Sequence, residues 1–204
     1  MKTNNRRSPG AFTLMEVMIV IAIILLLAAL LLNIGHPQVG TKRALTTTSL
    51  KAIEGALESY HAKFGEYPEP ADPDEMAEIM PGKRYRIGGA KCLYQALTGD
   101  GQDAIRGSGG DRTASDGQVD DGESLNRVFK DMPPAMWRKA GGSYILVDGF
   151  GRPFQYTPAT GGSDGTINTG YDLWSFAEDE TDLTAESTDT RGNAALGAKW
   201  IKNW

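Results

Sequence analysis

A chain of 204 residues has room for one ordinary domain and an additional segment, and two full domains would not fit. Its formal charge of −5 leaves no basic face broad enough for a nucleic-acid partner. The single cysteine, Cys92, excludes an intrachain disulfide and reads as a small buried thiol.

Lys2, Arg6 and Arg7 precede an apolar run that is uninterrupted from Val17 to Leu32. Extended to Phe12–Ile34, at about 1.5 Å per residue, the segment reaches roughly 35 Å, enough to cross a hydrocarbon core of about 30 Å with some tilt. The flanking charges place its start on the cytoplasmic side. A cleaved secretory signal fits poorly, because a glutamate lies inside the run and NIGHPQVG after it lacks an A-x-A site. A plain anchor leaves Glu16 unexplained, since a carboxylate near the bilayer centre costs about 2.5–3.5 kcal/mol.

The stretch Ala11-Phe12-Thr13-Leu14-Met15-Glu16, behind basic residues and ahead of an apolar helix, closely resembles the class III signal of type IV pilins and of type II secretion pseudopilins. The resemblance implies that a prepilin peptidase cuts before Phe12 and methylates its new amine, with Glu16 four residues on as the family's assembly residue. The residue before the cut, usually Gly, is here Ala11; the Phe-to-Glu spacing favours cleavage between Ala11 and Phe12, with a cut after Gly10, which would put Glu16 one place too far along, as the alternative. Residues 1–11 are then the leader, and 12–34 the membrane and filament-core half of the first helix. In a filament, the amine of an incoming subunit would lie near the Glu16 carboxylate and offset its desolvation.

Gly35-His36-Pro37 reads as a bend. Leu50, Ile53, Leu57, Tyr60 and Phe64 then fall on one helical stripe, with Lys51, Glu54, Glu58 and Lys63 off it. This predicts an amphipathic half-helix over 35–64, ended by Gly65 and Tyr67-Pro68, whose stripe packs on the protein's own head. YHAKFGEYP resembles the helix-to-loop junction of pseudopilins. Residues 12–64 would form one bent rod of roughly 80 Å.

The head, 65–204, starts with a loop and a short helix at 73–80, then a helix at 90–97 whose AKCLYQAL resembles the family's Leu-Gln-Ala-Leu core. Residues 99–123, dense in Gly and Asp, predict a mobile surface loop. They match neither the calcium spacing of an EF-hand nor a phosphate loop. Strand-like runs at 144–147 and 153–156 flank Asp148-Gly149-Phe150-Gly151-Arg152 and predict a hairpin. VDGFGRPFQY resembles the DPWGxPYxY segment of major pseudopilins, and YDLWSF, 171–176, their final strand. The expected class is α+β, a type IV pilin-like fold in which the long bent helix packs on one face of a small antiparallel sheet whose other face is wet.

After that strand, Glu178, Asp179, Glu180, Asp182, Glu186 and Asp189 crowd one loop. In major pseudopilins the corresponding loop binds calcium, and the resemblance carries Asp179 best. The family's carboxylate pair near the C-terminus is replaced by Lys199-Trp200, so a calcium site would draw on Asp182, Glu186 or Asp189 beside Asp179. A solvated acidic loop is the other reading.

Chemistry for catalysis is missing from the sequence. His36 and His61 neighbour no nucleophile, and neither a zinc pair, a Gly-x-Ser-x-Gly elbow nor a nucleotide fingerprint is present. The resemblance implies a filament subunit in the inner membrane with its head in the periplasm, whose partners are its own copies, minor pseudopilins, the inner-membrane secretion platform and the prepilin peptidase. A type IV pilus subunit and a membrane-anchored periplasmic binding module stand as alternatives.

Overall fold

The computed structural model describes residues 13–34, 39–108, 113–125, 127–129, 131–160, 165–193 and 195–204, with backbone alone at 30–34. The chain divides into two compact units, Met1–Gln38 and Val39–Trp204, which are taken one at a time.

In the first unit, helix α1 spans Leu14–Ile34. It is apolar around its whole circumference, so no single face is marked for burial. The predicted bend at Gly35-His36-Pro37 lies outside the described residues.

The second unit opens with helix α2, Val39–Phe64. Thr46-Thr47-Thr48 would weaken a helix, but each hydroxyl donates to the carbonyl four residues back, at 2.8, 2.9 and 3.0 Å. The helix stops where Gly65 takes a φ of 83°, a conformation other residues avoid. Leu50, Ile53, Ala56 and Leu57 are buried, whereas Phe64, on the same predicted stripe, is 40 % exposed.

Strands β1 (Met76–Met80) and β2 (Lys83–Arg86) pair antiparallel. The helix expected at 73–80 is therefore corrected: Pro81-Gly82 turns the chain between two extended segments. Helix α3, Gly88–Thr98, follows and is buried almost throughout. Its glycine start is a packing requirement, because a Cβ on Gly88 would stand 1.8 Å from the Asp72 carbonyl oxygen.

β3 (Trp137–Ala140) and β4 (Ser143–Leu146) form a second antiparallel pair, turned by Gly141 and Gly142 with φ of 58° and 86°. β5 (Gln155–Pro158), β6 (Tyr171–Ser175) and β7 (Ile201–Lys202) form a three-stranded antiparallel sheet in that order. The predicted hairpin across 148–152 is present but short: its arms meet at the antiparallel bridge of Val147 and Pro153, with the Asp148 amide donating to the Arg152 carbonyl at 2.8 Å and the Phe154 amide to the Leu146 carbonyl at 3.1 Å, and then diverge into different sheets.

β6, the central strand, is buried at every position, so the expected wet face is covered there, and part-exposed positions are confined to β5 and β7 in this sheet. Alternation along the strand sends Leu173 into a cluster with Leu50, Ile53, Leu57, Leu93 and Phe154, and Trp174 into a second cluster with Tyr85, Ile145, Phe176 and Trp200. The architecture is α+β, with α2 packed on α3 as well as on β6 and β7.

The described residues of 99–123 carry no helix or strand, yet they are not confined to the surface. Asp100 is 1 % exposed and accepts from the Tyr94 hydroxyl at 2.8 Å and from the amides of Asp116 and Gly117 at 2.9 Å each. Ala104 donates to the Gln95 side chain at 2.7 Å, and Ile105 bridges to Pro70. Polar anchoring does here what apolar burial was expected to do, and the surface-loop expectation is corrected at these residues.

Candidate functional site

The N-terminal site begins at Thr13, the residue before α1. Glu16 sits at the third helical position, and the two form a reciprocal cap. The Thr13 amide and hydroxyl both donate to Glu16 Oε2 at 2.9 Å, and the Glu16 amide donates to Thr13 Oγ1 at 3.3 Å. This satisfies helix-terminal donors and puts a carboxylate at the positive end of the helix dipole. The signal was available in the sequence as Thr-x-x-Glu ahead of an apolar run. Gly10, Ala11 and Phe12 lie outside the described residues. Large apolar side chains of α1 are exposed in the single chain, from 46 % at Val17 to 79 % at Leu14. Among the described residues no helix is long and apolar enough to cross a membrane, the side chains of α1 being described as far as Ala29.

The acidic loop after β6 is organised by its own donors. Asp179 Oδ1 accepts from the Thr181 amide at 3.0 Å and hydroxyl at 2.7 Å, while Oδ2 accepts from Trp200 Nε1 at 3.2 Å. Asp182 Oδ1 accepts from the amide and hydroxyl of Thr184 at 2.9 and 2.8 Å. Asp189 Oδ2 takes the Glu186 amide at 2.8 Å, capping a short 3-10 turn at Ser187–Thr190, and Glu186 Oε1 takes Arg86 Nη1 at 2.7 Å.

The four candidate calcium ligands are therefore engaged separately. Among the described residues no group of three or more His, Cys, Asp or Glu side chains is placed to hold a metal ion. The side chains present do not fit a calcium site.

Positive charge reaches this loop from elsewhere in the fold. Arg43 on α2 donates through Nη1 to both carboxylate oxygens of Glu178, at 2.9 and 2.7 Å, and to the Lys199 carbonyl at 2.8 Å. Lys83 pairs with Glu180 at 2.5 Å, and Arg152 pairs with the other Glu180 oxygen at 2.7 Å. For Glu178, desolvation pushes the carboxyl up, and hydrogen bonding and charge from Arg43 outweigh it, so it lies below the usual range. Asp179 is likewise desolvated, yet held low by Thr181, Trp200 and Lys199. The basic partners were invisible to a reading of the loop by itself, since they lie on α2, β2 and the 148–152 turn.

A cavity of about 710 Å³ opens beside the end of α2, lined by Tyr60, His61, Tyr67, Gln95 and Ile105 among others. His61 stacks on Tyr67 with ring centroids 4.6 Å apart. Cys92 is fully buried, and burial pushes its thiol up, so its nucleophilic form is suppressed.

Residues 6–32 match the family model described as the prokaryotic N-terminal methylation motif. The chain thus carries a type IV pilin-like prepilin signal over a short N-terminal share of its length. No curated protein and no solved structure matches the chain.

Proposed function

We propose that this chain is a structural filament subunit, a type II secretion pseudopilin that a prepilin peptidase cuts between Ala11 and Phe12 and methylates on Phe12. Anchored in the inner membrane through Phe12–Ile34, it would polymerise with its own copies, its head in the periplasm. Minor pseudopilins and the inner-membrane secretion platform are its expected partners. The observation that carries the reading is the methylation motif at residues 6–32. Two further features support it: an apolar helix with exposed large side chains, and a Glu16 carboxylate held at its start.

Within this reading, the lone buried Cys92 favours a pseudopilin over an adhesive pilus subunit, because no disulfide can brace the C-terminal region. The cavity beside Tyr60 and Tyr67 favours the other alternative, a membrane-anchored binding module.

N-terminal mass spectrometry on protein from cells with and without a prepilin peptidase separates filament subunit from plain anchor. A methylated Phe12 terminus that requires the peptidase is expected. An unprocessed Met1 or Lys2 terminus in both strains would sink the filament reading.

A further inference from the structure

The acidic loop at 177–190 needs positive charge to lie against the rest of the head, since uncompensated carboxylates beside a low-dielectric core are costly. A divalent cation is one solution, and the candidate ligands do not converge on one. Arg152 instead enters the loop from the 148–152 turn. It is 5 % exposed. Its Nη1 donates to the Asp179 carbonyl at 2.6 Å, and its Nη2 to Glu180 Oε1 at 2.7 Å.

A backbone carbonyl and a carboxylate meeting on one buried positive charge are the ligand types that a hard divalent cation also takes. The turn that carries Arg152 is fixed at its backbone as well. The Arg152 amide donates to Asp148 Oδ1 at 2.9 Å, Asp148 Oδ2 accepts from the Ser175 hydroxyl, and the guanidinium lies 5.9 Å from the Phe150 ring centroid. Lys83 takes the remaining Glu180 oxygen, and the Asp179 carboxylate is turned to Thr181 and Trp200.

We propose that Arg152 is the resident cation of this loop, occupying the role a calcium ion would otherwise fill, so that the C-terminal part of the head holds its structure without divalent metal. The proposal is independent of the filament reading, and N-terminal processing neither supports nor weakens it.

The test uses the full chain in detergent micelles, with melting followed by tryptophan fluorescence in the presence of a chelator or of calcium chloride. Terbium serves as the metal probe, because Trp200, in contact with Asp179, would sensitise a lanthanide held in this loop. The expected result is one melting midpoint under both conditions and no saturable terbium emission. Arg152→Gln should lower the midpoint by about 5 °C or more, calcium should not restore it, and Arg152→Lys should recover only part, because an ammonium does not reproduce the planar fork. A wild-type midpoint that falls with chelator, saturable terbium emission, or an Arg152→Gln midpoint equal to wild type would each overturn the proposal. Should Arg152→Gln fail to fold, the two wild-type measurements still decide it.

Discussion

The Thr46 hydroxyl on α2 accepts the Gly149 amide at 3.0 Å while donating to the Lys42 carbonyl at 2.8 Å, so one side chain joins the helix to the 148–152 turn. The approach leaves no space for a side chain at 149, where a Cβ would stand 2.5 Å from the Lys42 carbonyl oxygen. Gly149→Ala should therefore destabilise the head by about 1–3 kcal/mol, as overpacking against backbone does. Thr46→Val should cost about 1 kcal/mol by a different route, leaving the half-buried Gly149 amide unpaired. Equilibrium unfolding in urea measures both, and a wild-type midpoint for Gly149→Ala would show that this contact does not form.

Glu16 caps α1, and in the proposed filament its charge would also be available to a neighbouring amine. Glutamine at the same position keeps the cap and removes the charge. Glu16→Gln should retain the helix start yet lose crosslinks between apolar helices of adjacent subunits, and Glu16→Ala should lose both. Thr13→Ala removes the cap alone and should cost about 0.5–2 kcal/mol of helix stability. Full crosslinking in Glu16→Gln would assign the residue to capping only.

Where local pattern determined structure, the sequence was sufficient. The 3-4 spacing at Leu50, Ile53 and Leu57 located α2, and the spacing of Leu93 and Leu97 located α3. Two turn signals were open to reading and were missed, Pro81-Gly82 between β1 and β2 and Gly141-Gly142 between β3 and β4. The Gly-rich 148–152 turn reads as a longer hairpin than it is because both flanks look extended, and which strand each flank joins is decided by distant partners. The acidic loop is hard to read for a related reason. Its composition announces need for a cation, while Arg43, Lys83, Arg86 and Arg152 reach it from far along the chain. At the N-terminus, the Thr13–Glu16 cap spans three residues, and its Thr-x-x-Glu signal is local and readable, although the resemblance directs attention to Glu16 as an assembly residue instead.

Acid should weaken the tie between α2 and the C-terminal segment. Glu178 is held below the ordinary carboxylate value of about 4.3, so its contribution is complete above that pH and is lost as pH falls through the lower folded value. Because Arg43 and Glu178 are both about a third exposed, the pair is worth less than about 1 kcal/mol. Asp148 acts in the opposite sense. Burial raises its value, ahead of the lowering by Ser175 and backbone amides, so its ionised form costs stability that returns as pH falls through that raised value. Melting midpoints of wild type and Glu178→Gln should differ by about 2–3 °C at neutral pH and converge as pH falls through the lowered Glu178 value. A gap that persists unchanged in acid would assign the effect of Glu178 to packing.

Asp100 determines whether the Gly/Asp segment behaves as its composition suggests. Its carboxylate holds the Tyr94 hydroxyl and the amides of Asp116 and Gly117, and Glu123 reaches back to the Gly101 amide at 3.0 Å. Asp100→Ala would remove three hydrogen bonds from one buried point and leave their donors without an acceptor, at about 1–3 kcal/mol for each donor that water does not reach. The damage should be local first, because the segment contributes few apolar side chains to either core cluster. Limited proteolysis should then cut Asp100→Ala between Gly99 and Glu123 at protease levels that leave wild type whole, with α2 and the 155–175 region still protected. Equal cleavage of wild type and variant in that segment would mean that the anchoring does not hold in solution and that the composition predicted its behaviour correctly.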